Sequence, residues 1–213
     1  MSDHQCPLCQ QKNGAPFFQG AKRAYFHCPI CQLVFVPPHQ FLEPDEEKGR
    51  YDMHENSAED PGYRRFLGRM FEPMLERLPP NSSGLDFGSG PGPTLSIMFE
   101  EAGHSMVIYD PFYAPDTAPL SHTYDFITAT EVAEHLHHPR AELDRLWGCL
   151  RPGGYLGIMT KRVLDVEAFA NWHYKNDPTH VCFFAAETFE WLAQLWGAEC
   201  TIVGNDVVIF RKH

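Results

Sequence analysis

The sequence predicts an α/β chain: a doubly wound, mostly parallel sheet with an antiparallel C-terminal strand, preceded by a small ribbon held by cysteines. Three observations predict it. Short apolar runs end in glycine turns and feed helical patterns through the middle of the chain, as in repeated βα units. Two Cys-x-x-Cys pairs stand close together near the start. Two β-rich runs at the end, 200–203 and 206–210, flank Gly204-Asn205 and read as an antiparallel hairpin.

At 213 residues the chain can hold one full α/β domain and a small appendage, and its 43% apolar content is that of a globular protein. No apolar run approaches the roughly 20 residues that span a bilayer, so no membrane association is expected. The N-terminus, Met1-Ser2-Asp3-His4-Gln5-Cys6, is polar and has no signal-peptide core, which predicts a cytoplasmic protein. A net charge of −11 argues against a broad nucleic-acid footprint, which needs clustered Lys and Arg, and reads as solubility. Seven cysteines in such a chain point to metal or buried thiols rather than disulfides.

Residues 1–40 read as the ribbon. Thiolates two residues apart on a tight knuckle chelate one ion, and two knuckles complete a tetrahedron. Cys6, Cys9, Cys28 and Cys31 are therefore expected to hold structural zinc. Four thiolates close the coordination sphere, so the site has no catalytic role. His4 and His27 lie beside the knuckles as neighbours, and Cys149, Cys182 and Cys200 are isolated and read as core. Ala24–His27 and 33–36 are expected strands, ended by Pro37-Pro38. Residues 41–62 carry eight acids against Lys48 and Arg50, and read either as a solvated acidic linker or as a lid.

The main domain is expected over 63–213. Tyr63, Phe66, Leu67, Met70, Phe71, Met74, Leu75 and Leu78 recur at helical spacing, with a kink or a break expected near Glu72 because Pro73 follows. Leu85-Asp86-Phe87-Gly88-Ser89-Gly90-Pro91-Gly92 is a strand running into a glycine turn, and Thr94–Glu101 follows as helix. Such a turn lets a ligand lie against bare backbone above a helix N-terminus. Ser105–Tyr109 reads as a second buried strand ending in Asp110, where a Rossmann-like domain holds ribose hydroxyls. The proline-rich stretch before Tyr124 is too short for a helix and a strand, so the helix is expected to reduce to a loop. Residues 124–130 form the next strand. Glu131 at its carboxyl edge is either ligand-facing or a helix N-terminal acid favoured by the dipole. His135, His137 and His138 read as a solvated helix end. Pro152-Gly153-Gly154 turns into a further strand. The stretch 171–184 then mixes aromatics, titratable groups and an Asp-Pro turn, and 187–196 is a helix facing the core with Phe189, Leu192 and Trp196.

The glycine turn departs from the dinucleotide fingerprint, because an acid precedes the first glycine and the third glycine comes early. Asp86-x-Gly88-x-Gly90-x-Gly92 resembles the first motif of class I S-adenosylmethionine-dependent methyltransferases, and three later segments follow in that family's order. The resemblance implies S-adenosylmethionine as cofactor, with Asp86, Gly88 and Gly90 around its aminocarboxypropyl arm and Asp110 on its ribose. Glu131 would join them, and the stretch holding Tyr51 and His54 would fold over the cofactor. Asp116 is the stand-in for an acid near the adenine. Asp177-Pro178-Thr179-His180-Val181-Cys182-Phe183 resembles the Asp-x-Thr-His-Val-x-Phe stretch of a subfamily likened to quinone methylases. An acceptor hydroxyl or amine must lose a proton as the methyl arrives, so His180 is the candidate general base, with His173 second; alternatively His180 organises the loop. The acceptor is expected to be a small molecule. RNA, gripped by a ribbon carrying Lys12, Lys22 and Arg23, is the alternative within enzymes, a sugar a third, and a catalytically silent cofactor-binding scaffold the alternative outside them.

Overall fold

Two turns of the same design open the chain in this computed structural model, which describes residues 4–53 and 57–213. The Gln10 N–H donates to the Cys6 carbonyl at 3.0 Å and the Gln32 N–H to the Cys28 carbonyl at 2.9 Å. Both glutamines sit at positive φ, 63° and 60°. Each side-chain amide reaches back to a proline carbonyl, Pro7 or Pro29, at 2.8 Å. Strands β1 (Ala15–Gln19), β2 (Ala24–His27) and β3 (Val34–Phe35) then form an antiparallel sheet, β1 being a strand the sequence does not announce. This sheet is completed from the far end of the chain: Val34 pairs with Phe183 and Phe35 with Cys182.

The acidic stretch contains helix α1 (Pro44–Tyr51), and α2 (Pro61–Leu75) follows with Asp60 capping the Gly62 N–H at 2.7 Å. Of the kink or break expected near Glu72, the break does not occur, since α2 runs through Pro73. Pro73 falls in the last turns, and Met70 and Met74 on either side of it are fully buried, so packing overrides the lost backbone bond.

The rest of the chain runs β4 (Ser83–Phe87), α3 (Thr94–Glu101), β5 (Ser105–Tyr109), β6 (Tyr124–Thr130), α4 (Pro139–Gly148), β7 (Leu150–Met159), α5 (Val166–Asn171), β8 (Cys182–Phe183), α6 (Ala186–Trp196), β9 (Glu199–Val203) and β10 (Val207–Arg211). Strand β8 belongs to the small sheet; the other six lie in the order β5-β4-β6-β7-β10-β9. Neighbours from β5 to β7 are parallel, and β10 is antiparallel to both β7 and β9. Alternation along β10 divides the core. Val207 and Ile209 face α2 and α3, whereas Val208 and Phe210 face the layer that includes α6 and the ribbon. No helix among the described residues is long and apolar enough to cross a membrane.

Two expectations change here, and the loop expected in place of a helix before Tyr124 is found. Strand β5 is an edge strand rather than a buried one, with Val107 42% exposed. Residues 111–123 supply neither helix nor strand beyond it, only a bridge from Asp110 to Ala114 and a short 3-10 turn, Ala118–Ser121. Pro152-Gly153-Gly154 lies inside β7 rather than ahead of it, as a slip in pairing between Tyr124–Leu150 and Phe126–Tyr155. Lys212 clips that bulge through backbone bonds of 2.8 and 2.9 Å to Gly153 and Gly154.

Candidate functional site

A cavity of about 690 Å³ opens where β4, β5 and β6 end, the edge at which open α/β sheets bind ligands. That volume lies within the roughly 300–1,000 Å³ of small-molecule sites. One wall is the glycine turn. Gly88 has φ +74°, and a Cβ there would come within 2.4 Å of Val132, so neither backbone nor space admits a side chain. Gly90 has φ +64° over open space. Ser89 Oγ and Thr130 Oγ1, both on this wall, are buried without a hydrogen-bond partner among the described residues.

Asp86 lies beneath the turn and does not line the cavity. It accepts from Thr128 Oγ1 at 2.9 Å and Ser96 Oγ at 3.2 Å, tying β4 to β6 and α3, and burial pushes its carboxyl up to about 6. Asp110 does line it. Its Oδ2 accepts from the Gly90 N–H at 2.9 Å, while Oδ1 accepts from Phe112 and Tyr113 at 2.8 and 3.0 Å. A carboxylate has about four lone-pair sites, so Oδ2 retains capacity for a ligand hydroxyl. Asp116 is exposed, caps the Ala118 N–H, and is not on the wall; Phe112 and Tyr113 are.

Glu131 lines the cavity in the left-handed region, φ 53°, held by its N–H to the Met159 carbonyl at 2.7 Å. Burial, then the charge of Glu134, pushes its carboxyl up to about 8. Of the histidines after it, His138 is exposed at the start of α4 as expected, whereas His135 and His137 are half-buried. His135, His137 and His138 all line the cavity, and Phe41 stacks on His137 at 4.4 Å. Helix α1 lies alongside: Tyr51 donates to Glu47 Oε1 at 2.7 Å, and its ring meets Phe112 and, edge-on, His135. Tyr113 donates to Asp52 at 2.7 Å. His54 lies outside the described residues.

Glu134, His135 and His180 also line the cavity. Glu134 is fully buried and accepts from the Tyr174 hydroxyl through Oε1, while Oε2 has no partner among the described residues. His180 is 7% exposed, and its Nδ1 stands 2.7 Å from the Tyr174 carbonyl. A carbonyl only accepts, so Nδ1 carries the proton. Burial and then neighbouring His135 pull His180 down to about 4, leaving it neutral but a weak free base at neutral pH. His173 is exposed on a 3-10 turn and does not line the cavity. Glu134 is the residue that sequence reasoning missed. Its signal was a carboxylate beside a histidine in the apolar run just after a strand's carboxyl end.

The four cysteines also meet. Their sulfurs lie within 4.8 Å of one another, with Cys6–Cys31 at 3.5 Å and Cys9–Cys28 at 3.4 Å, and all four are buried. Burial and the neighbouring thiols push Cys9 up to about 12, so a cation is needed before all four ionise. The set fits a tetrahedral ion; His4 and His27 are not in it. From the same ribbon, Arg23 turns inward. Its guanidinium donates to the carbonyls of Lys175, Asp177, Pro178 and His180, and Tyr25 donates to Lys175 at 2.9 Å. The ribbon thus grips the loop that carries His180 by its backbone.

A family model described as a methyltransferase domain matches residues 60–202. Among solved structures, the chain is similar to 1,6-didemethyltoxoflavin-N1-methyltransferase of Burkholderia thailandensis, solved with 1,6-didemethyltoxoflavin and S-adenosylhomocysteine, at 16% identity and a TM-score of 0.52 over 92% of this chain and 98% of that one. It is also similar to a SAM-dependent methyltransferase from Archaeoglobus fulgidus, at 14% identity and a TM-score of 0.51 over 72% of this chain and 100% of that one. At such identities the likeness is one of fold. No curated protein matches the sequence.

Proposed function

The chain belongs to the class I S-adenosylmethionine-dependent methyltransferases, and from that premise we propose that it methylates a small-molecule acceptor. The observation that carries this reading is the meeting, in one cavity, of a bare-backbone glycine turn with buried polar atoms on Ser89, Thr130 and Glu134 that have no partner among the described residues. S-adenosylmethionine supplies an activated methyl group, so alignment of the acceptor can provide most of the acceleration. Gly88, Ser89 and Gly90 would receive the aminocarboxypropyl arm, with Asp86 bracing the turn from behind. Asp110 would take the ribose. Phe112 and Tyr113 would supply the face for the adenine that a further strand and its acid would otherwise flank. Glu131 would lie between cofactor and acceptor. Zinc on Cys6, Cys9, Cys28 and Cys31 would be structural.

The acceptor would sit against Glu134, His135 and His180. Cavity size and the lining by α1 favour a compact molecule over RNA. So does Arg23, one of the three ribbon cations that an RNA reading needs, because its guanidinium is engaged inside the protein. Calorimetric titration with S-adenosylmethionine and S-adenosylhomocysteine, on protein of measured zinc content, tests the reading. Micromolar binding of both is expected, and no binding by folded, zinc-loaded protein would sink it. Tyr51→Ala tests the lid: affinity for both ligands is expected to fall about tenfold, or about 1.4 kcal/mol. Unchanged affinity would make the segment a linker only.

A further inference from the structure

We propose that Glu134, His135 and His180 form a second metal site, for a first-row divalent cation, on the acceptor side of the cavity. Their donor atoms lie within 4.8 Å of one another, and all three residues line the cavity. Both imidazoles are oriented as metal-binding histidines are, with the remote nitrogen anchored. His180 Nδ1 donates to the Tyr174 carbonyl at 2.7 Å, and His135 Nδ1 to the Thr179 carbonyl at 3.3 Å. His180, with its proton on Nδ1, presents Nε2 as a lone pair, and His135 brings a ring nitrogen into the same cluster. Glu134 is held in the same manner, since Tyr174 fixes Oε1 and leaves Oε2, fully buried, without a partner among the described residues.

A buried carboxylate oxygen with no donor among the described residues is costly. A divalent cation satisfies that oxygen and draws its other ligands from the two rings beside it. Donors about 2.1 Å from a tetrahedral ion stand roughly 3.4 Å apart, so this trio closes by about an ångström on binding. Two imidazoles and one carboxylate suit zinc and its neighbours in the first transition row, and three protein ligands leave a position open. The opening faces the cavity, so the site selects acceptors with an oxygen able to ligate the ion, and a ligated hydroxyl loses its proton more readily than a free one. His180 then serves as a ligand, with no need to be a base. Only this consequence for the acceptor rests on the methyl-transfer reading; the site itself does not.

The test is a titration of Co2+ into full-length protein that already holds one zinc on its cysteines. One further equivalent is expected to bind, with weak visible d–d absorption and no sulfur-to-metal charge transfer. In Glu134→Gln and His180→Ala, cobalt is expected to bind more than about 100-fold more weakly, beyond the 10- to 100-fold loss typical of changes to a ligand's outer partners. Retained ribbon zinc and S-adenosylhomocysteine affinity would show that both variants fold. Wild-type protein that takes no second equivalent overturns the proposal whatever the variants do, as does equal cobalt binding by both folded variants. Cobalt bound without any affinity for S-adenosylhomocysteine would keep the site and sink the methyltransferase reading. The reverse result would do the opposite.

Discussion

In Arg23→Ala, amide exchange at Val181 is expected to accelerate at least about 100-fold, about 2.7 kcal/mol, while S-adenosylhomocysteine affinity stays within about threefold. The Val181 N–H donates to the Glu134 carbonyl at 2.8 Å, and its own carbonyl accepts from Val36 at 2.9 Å, so it reports directly on how the acceptor loop docks. Arg23 reaches four carbonyls of that loop, three of them at 2.7 to 3.0 Å. Hydrogen bonds from a charged donor contribute about 1.5–3 kcal/mol each, and removal leaves four acceptors to find water or go unpaired. Even heavy discounting for non-additivity leaves the loop undocked for a measurable fraction of the time. Arg23→Lys is expected to recover little, because an ammonium cannot span four carbonyls as a planar fork does. The glycine turn touches none of these groups, so cofactor affinity is the control. Unaltered exchange at Val181 would mean that β8 alone holds the loop. With an acceptor in hand, turnover is expected to fall with the docking.

In Cys28→Ser, zinc binding is expected to be lost and the Tm of the whole chain to drop by more than about 10 °C, in one calorimetric transition. Structural zinc contributes about 10–16 kcal/mol to isolated fingers. Here part of that is replaced by packing, and a residual loss of about 5 kcal/mol moves a domain of this size by about 10–20 °C. The single transition follows from the core. Phe169 packs edge-on against Phe17, Phe18 and Tyr25 from the ribbon and against Phe183 from the main domain, so neither half buries its apolar face alone. A low transition separated from an unmoved main one would mean that the ribbon is an independent module. No change in Tm would remove zinc from the account altogether.

What could be read from sequence was what local chemistry dictates. The strand into Gly88 and Gly90 is legible because alternating glycines have few other uses after an apolar run, and the four cysteines because their spacing serves little besides a metal. Long-range pairing is not local. Nothing in Val34-Phe35 announces Cys182-Phe183 as its partner, and Arg23 looks like any surface cation until the loop carbonyls close around it. The acids of α1 read as solvated because charge patterns do not reveal that Tyr51 turns toward His135. Asp86 was assigned to the ligand because the motif carries an acid there, yet its oxygens face Thr128 and Ser96. Glu134 is not legible because nothing local announces that Tyr174, forty residues on, closes over its carboxylate.

The grip of the ribbon on the loop that carries His180 also runs in the opposite direction. Linkage between two sites is reciprocal in free energy, so whatever order the cysteine-bound ion imposes on residues 173–181 is returned when a ligand settles against His180. An occupied cavity is therefore expected to raise the affinity for an ion of four sulfurs that line no part of it. That affinity becomes a remote readout of the cavity, available before any product has been identified.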